Sequence, residues 1–223
     1  MPEFVKSDLN QVKRKPQRGA YDKDLIYKIA DEALVCHVGF SQGPQPFVIP
    51  MNFGRANDII YLHGSTASRL LEHLQAGNQL CMCFTLLDGI VFARSVFNHS
   101  MNYRSAILYG KGRALESDEE KLAALEAVTE HVAKGRWKDA RLPNRKELDA
   151  TSVVAVDIET GSAKVRAGPP IDDEHDYDLS IWAGVLPLQL QPLEPVPDER
   201  MRSGIDSPEY VRNFSRSPSS TIS

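Results

Sequence analysis

Seven short runs rich in Val, Ile, Phe, Tyr and Cys, each bounded by turn residues, constrain this chain more than any other feature. They are Leu34–Phe40, Pro46–Phe53, Ile59–His63, Gln79–Leu87, Ile90–Phe97, Ser105–Leu115 and Ser152–Glu159. β-Branched and aromatic side chains fit a pleated, half-buried surface, so these runs predict strands. Gln42-Gly43-Pro44, Arg55-Ala56-Asn57-Asp58 and Asp88-Gly89 supply the tight connections. Lys164–Ala167 can pair with the last strand. Residues 22–33 carry Leu25, Ile26, Ile29 and Ala30 at helical spacing. A second helix is expected over Ser65–Gln75, closed by Gly77-Asn78. A third runs from Asp118 to Ala133 behind the capping start Ser117-Asp118-Glu119-Glu120. Short strands joined by hairpins, with few helices, predict a mainly β fold with some α, a small closed or partly open barrel.

The chain divides into an arm (1–20), a barrel domain (21–168), a segment that docks on the barrel or on a second subunit (169–190) and a mostly disordered tail (191–223), Ser-rich from Ser207 on. The docking segment holds an apolar island, Ile181–Leu188, in polar surroundings. The basic stretch Val12-Lys13-Arg14-Lys15-Pro16-Gln17-Arg18 could attract phosphate or RNA but is expected to be a mobile arm. A net charge of −4 argues against a nucleic-acid surface. No run reaches the length of a membrane span, and the polar start Met1–Asp8 is no secretory signal, so a cytoplasmic protein without a membrane partner is expected. Cys36, Cys81 and Cys83 lie in apolar strands and read as buried, reduced thiols, with no further ligands at zinc spacing.

Two polar clusters carry chemistry. At the first, the strand Ile59–His63 gives way to Gly64, Ser65, Thr66, Ser68 and Arg69 at a helix start. Free N–H groups and the helix dipole favour an anion there, the hydroxyls can donate to phosphate oxygens, and Arg69 can grip two of them. The same residues also fit a plain N-cap. The second cluster is Ser95–Ser105. Asn102 could read an amide or imide edge, Tyr103 could stack and Arg104 could hold an anion, or the segment is a polar loop whose aromatic caps the barrel.

In order, Pro50-Met51-Asn52-Phe53, Tyr61-Leu62-His63-Gly64-Ser65, Ser68-Arg69, Asn102-Tyr103-Arg104-Ser105, Tyr109-Gly110-Lys111-Gly112 and Trp182-Ala183-Gly184 resemble the FMN-binding split barrels of the pyridoxamine 5′-phosphate oxidase superfamily, most closely the flavin-nucleotide-binding branch with the nitroimidazole reductases. The resemblance spans about Arg18 to Leu188. It implies a homodimer of six-stranded split β-barrels with peripheral helices and one FMN in each of two clefts between subunits. It further implies that Ser65, Thr66, Ser68 and Arg69 hold the FMN phosphate, that Ile49, Pro50, Met51 and Asn52 lie beside the ring, and that a turn at Ser100, Met101, Asn102 and Tyr103 closes the cleft with Trp182. His63 would face the flavin as a catalytic proton donor, or bond within the barrel wall. Where the oxidases follow Ser-Arg with Lys, this chain has Leu70; Lys111, Arg14 or Arg18 could compensate. The oxidases' C-terminal Arg pattern is also missing, which argues against pyridoxamine phosphate oxidation.

The expected function is an FMN-dependent oxidoreductase that reduces a small aromatic, nitro or quinone-like acceptor. No Gly-x-Gly-x-x-Gly fingerprint is present, so NAD(P)H would bind transiently or a partner reductase would supply electrons. The alternative is a non-catalytic protein holding flavin, deazaflavin or haem, with His63, His99 or His175 as axial ligand.

Overall fold

The computed structural model describes residues 2–215. Its centre is one antiparallel sheet built from β2 (Cys36–Gln42), β3 (Gln45–Met51), β4 (Gly54–Ala56), β5 (Ile59–Ser65), β6 (Gln79–Phe92), β7 (Ser100–Ala114) and β8 (Thr151–Arg166). The order is β3-β2-β6-β7-β8-β5-β4, with the short β1 (Gly19–Ala20) on β8 and β9 (Gly184–Pro187) on β6. The sheet curls but β3 and β4 do not pair, which leaves the barrel split along that seam.

Alternation along β2, β5, β6 and β7 supplies most of the barrel interior. Val38, Phe40, Phe53, Ile60, Leu62, Met82, Phe84 and Leu108 are buried in one cluster, with Phe53 edge-on to Phe84 at 5.0 Å. Two helices complete this core. In α1 (Lys23–Glu32), Asp22 caps by accepting from Leu25 N–H at 2.9 Å, and Ile26, Ile29 and Ala30 turn inward. In α2 (Arg69–Gln75), Leu70, Leu71 and Leu74 are buried, while His73 packs on Phe40 with ring centroids 5.0 Å apart. The helix lies flat on β7: a Cβ at Gly112 would sit 2.7 Å from the Leu74 carbonyl oxygen.

A second, smaller core joins the outer faces of β5 and β8 to α3 (Asp118–Val132), through Leu115, Ala124, Val153 and Ala155. A Cβ at Gly54 would lie 2.5 Å from the Ala127 carbonyl carbon, so α3 seats directly on β4 backbone. The short helices α4 (Arg136–Asp139) and α5 (Arg145–Asp149) lead back to the sheet.

Four expectations change. Asp88-Gly89 is not a turn: β6 runs straight through it with a bulge, Asp88 bonds Arg104, and Gly89 leaves room for β9, whose Val185 Cγ1 would be 3.0 Å from a Cβ there. Ser100–Tyr103 is likewise not a turn but the opening of β7, paired with Leu87–Val91. Lys164–Arg166 continues β8 instead of forming a separate strand. The N-terminal arm is pinned: Phe4 is buried, and the 2% exposed Asn10 donates to Thr160 Oγ1 at 2.7 Å and Gly161 O at 3.2 Å.

The apolar island docks on the barrel as β9, opposite Gly89–Phe92. Within the tail expected to be disordered, Glu209–Arg212 forms the short helix α6, tied to α4 through Tyr210 and Asp139 at 2.7 Å. Residues 216–223 lie outside the described residues. Of the three thiols only Cys36 is buried; Cys81 and Cys83 are half-buried on one outer face of β6. No helix of the described residues is long and apolar enough to cross a membrane.

Candidate functional site

The helix expected from Ser65 begins at Arg69, because Ser68 is its N-cap and accepts from Leu71 N–H at 3.4 Å. Ser65 ends β5, and its Oγ accepts from Ala67 N–H at 3.2 Å. Both hydroxyls therefore shape the turn as acceptors, and each keeps its own O–H to donate. Thr66 is exposed at the apex, its N–H donating to Ala150 O at 3.3 Å. The Arg69 guanidinium lies 4.2 Å over the Phe47 ring on β3. It has no ion-pair partner among the described residues, so its charge is open to an anion. Leu70, where the related oxidases carry Lys, is 1% exposed, so no second cation fits there. Lys111 lies 3.9 Å from Glu159 across an exposed surface.

On β3, Phe47, Ile49 and Met51 pack against the core, and Pro46, Val48 and Pro50 point outward. Pro50 pairs with His37 on β2. With no N–H of its own, Pro50 offers a ligand only a carbonyl. Asn52 is exposed between β3 and β4. The Phe47–Arg69 contact brings this strand and the anion turn together across the seam, a platform that no local sequence signal announces.

The second cluster forms a different corner. Ser100 and Met101 pair with Val91 and Ile90, and Tyr103 with Leu87. The amide of Asn102 is spent, its Nδ2 donating to Gly168 O at 3.1 Å while Oδ1 accepts from Arg166. Arg104 is spent too, forked between Glu32 (2.8 Å from Nη2) and Asp88 (2.8 Å), so it holds the barrel end and is no anion site. These two bonds, and Asp88 accepting from Nε, keep its pKa far above the ordinary arginine value. Trp182 is 70% exposed and tilts against Phe92 at 5.9 Å, with His99 edge-on to the same ring at 6.0 Å. His175 is exposed and lies 3.5 Å from Asp176.

His63 shares the outer face of β5 with Ile59 and Tyr61, which pack into the small core beneath α3. It is half-buried opposite Val153, and its Nδ1 is buried without a hydrogen-bond partner among the described residues. Desolvation lowers its pKa below the ordinary 6.5, so the ring is held neutral.

A family model described as pyridoxamine 5′-phosphate oxidase matches residues 22–165, the whole span from α1 through β8. The chain belongs to the pyridoxamine 5′-phosphate oxidase-like family of flavin-binding split barrels. Within that family it is similar to the flavocytochrome Anf3 of Azotobacter vinelandii, at 38% identity over 94% of this chain and 97% of that one, with a TM-score of 0.87. It is similar over 87% of its length, and 96% of the other chain, to the FAD- and haem-binding protein of Mycobacterium smegmatis, at 34% identity and a TM-score of 0.83. A candidate 5-nitroimidazole antibiotic resistance protein of Bacteroides thetaiotaomicron shares 32% identity over 66% of this chain and 86% of that one, with a TM-score of 0.56. No curated protein sequence matches significantly. The split-barrel family explains why the sheet curls without closing and why a seam is left for α2 to bridge.

Proposed function

We propose that this chain is a homodimeric, flavin-dependent oxidoreductase that takes FMN and passes electrons to a small aromatic, nitro or quinone-like acceptor. The observation that carries the flavin reading is the pairing of an uncompensated Arg69, stacked on Phe47, with hydroxyl groups at the same turn, in a chain of a flavin-binding family. An arginine with no carboxylate partner and a side chain fixed by stacking suits a phosphate. Ser65, Thr66, Ser68 and Arg69 would hold the phosphate, and the exposed backbone of Ile49–Asn52 would flank the ring. Bound flavin supplies the hydride and electron chemistry. The chain's own residues would bind and orient it and exclude water; His63, held neutral by burial and with no partner to Nδ1 among the described residues, is the group suited to donate its one N–H to the ring or a substrate. Dimerisation is supported by the outer face of β3-β2-β6-β7, where Val48 is 68% exposed, and by Phe97 at 91% and Trp182 at 70%. NAD(P)H or a partner reductase would supply the electrons.

A second reading has its own observation. The flavocytochrome and the FAD- and haem-binding protein are similar over nearly the whole of this chain, beyond the barrel shared with the wider family. On that reading flavin, as FMN or FAD, and haem share one electron-transfer protein. The absorption spectrum of the purified protein, before and after NADPH, separates these readings. Flavin bands that bleach and transfer to nitro or quinone acceptors support the oxidoreductase; a Soret band supports the flavin–haem protein; a colourless protein that ignores added FMN and FAD refutes both.

A further inference from the structure

The arm and the sheet enclose a second region built for negative charge. Asn10 anchors the arm on β8 on one side, and Gly19 pairs with Lys164 on the other. Between these anchors the chain arches over β7 and β8 and encloses a groove of about 240 Å³. Lys13, Arg14, Lys164, Ser105, Tyr109 and Ile107 are among the residues that line it. Arg18 adjoins it, next in chain to the paired Gly19, and Arg166 follows Lys164 on the same face of β8.

These five cations have no carboxylate within 4.0 Å among the described residues. Arg166 is the sharpest case. It is 7% exposed; among the described residues its Nη atoms reach only neutral acceptors, namely Asn102, Gly168 O at 3.3 Å and Pro169 O at 3.1 Å, and its buried Nε has no acceptor. Burial, and then the neighbouring charge of Arg18, lower its pKa. A chain with a net charge of −4 has gathered these cations on one anchored loop and the end of β8 that it lies against. Lys15, between Arg14 and Arg18, even adopts a left-handed φ of 55°. Like charges held together and partly desolvated repel, and a bound anion removes that repulsion.

We infer that this groove binds the diphosphate end of a nucleotide, separately from the Arg69 turn. The volume is below that of a site for a whole drug-sized ligand, which suits one end of a longer molecule. Lys13, Arg14 and Lys164 and the Ser162 hydroxyl match phosphate oxygens, and Tyr109 and Ile107 give an adjoining ring an apolar surface.

The test is calorimetric titration of full-length protein with ADP at low salt, with inorganic pyrophosphate as competitor, on samples holding and stripped of flavin. ADP should bind and pyrophosphate should displace it. The variant Lys13→Gln/Arg14→Gln should weaken ADP binding by about tenfold or more, the scale of one or two charge-assisted contacts. Arg69→Ala should leave it unchanged. Binding in both samples assigns a separate nucleotide; binding only after stripping assigns the diphosphate of a flavin dinucleotide. Absence of ADP binding in both samples, pyrophosphate binding without ADP binding, equal affinity in Lys13→Gln/Arg14→Gln, or loss in Arg69→Ala overturns the inference. Flavin content, read from absorbance of the same preparations, tests the flavin proposal independently.

Discussion

Replacing Arg69 by Ala separates a ligand contact from a folding contact. In the fold, the exposed guanidinium stacks 4.2 Å from Phe47 and pairs with no carboxylate among the described residues. Such a cation–π contact contributes about 0.5–1 kcal/mol at an exposed site. A bidentate hydrogen-bonded contact to phosphate contributes about 1.5–3 kcal/mol, or roughly 10- to 150-fold in affinity. Ser68, which caps α2, and the buried Leu70 stay in place. Arg69→Ala should therefore weaken FMN binding by one to two orders of magnitude and destabilise the apo protein by at most about 1 kcal/mol. Titrating stripped protein with FMN by flavin fluorescence, alongside urea denaturation of the apo form, measures both. Unchanged FMN affinity would refute the phosphate role, and an affinity loss no larger than the stability loss would reduce Arg69 to a packing residue.

Gly54→Ala should destabilise the fold by about 1–3 kcal/mol in urea, because its Cβ would meet α3 backbone at 2.5 Å; an unchanged midpoint would show that α3 does not seat there. Arg104→Met should remove about 3 kcal/mol or more, since it leaves Glu32 and Asp88 without their shared cation at a barrel end where Arg104 is 9% exposed. A loss below about 1 kcal/mol would class the cluster with surface pairs. His63 is a base whose folded pKa lies below the unfolded 6.5, so the unfolded chain takes up a proton first. Its contribution favours the fold above 6.5 and declines as pH falls from 6.5 to the lowered folded value. His63→Gln should flatten the stability–pH slope between about pH 7 and 5, and an equal slope would show that the ring titrates normally.

Alternation and turn chemistry made most of the sheet legible from the chain, as Cys36–Gln42 and Ile59–Ser65 illustrate. Two misreadings share one cause. Asp88-Gly89 is a strong local hairpin signal, yet Asp88 is claimed by Arg104, and Gly89 by the approach of β9, nearly a hundred residues on. Ser100–Tyr103 reads as a loop because it is polar, but the amide of Asn102 is satisfied by Arg166 and Gly168 from the far end of β8. Local composition cannot reveal a partner sixty residues away. At the candidate site, the hydroxyls and Arg69 were visible as a helix start, and the cap at Ser68 shortened that helix by one turn. The platform beneath Arg69 was invisible, since Phe47 reads only as one residue of a strand. The arm was misjudged for the same reason: its basic residues suggest mobility, while the single buried Asn10 that pins it leaves no periodic trace.

The seam between β3 and β4 gives the α2 helix a mechanical part. Backbone pairing stops there, and side chains of α2 span the break, with His73 on Phe40 and Arg69 on Phe47. An anion that engages Arg69 thus pulls on the same rivet that fastens β3 to the rest of the shell. Occupancy and barrel stiffness become one variable, so the amides of β3 should exchange with solvent more slowly when ligand is bound, although the ligand's phosphate touches none of them.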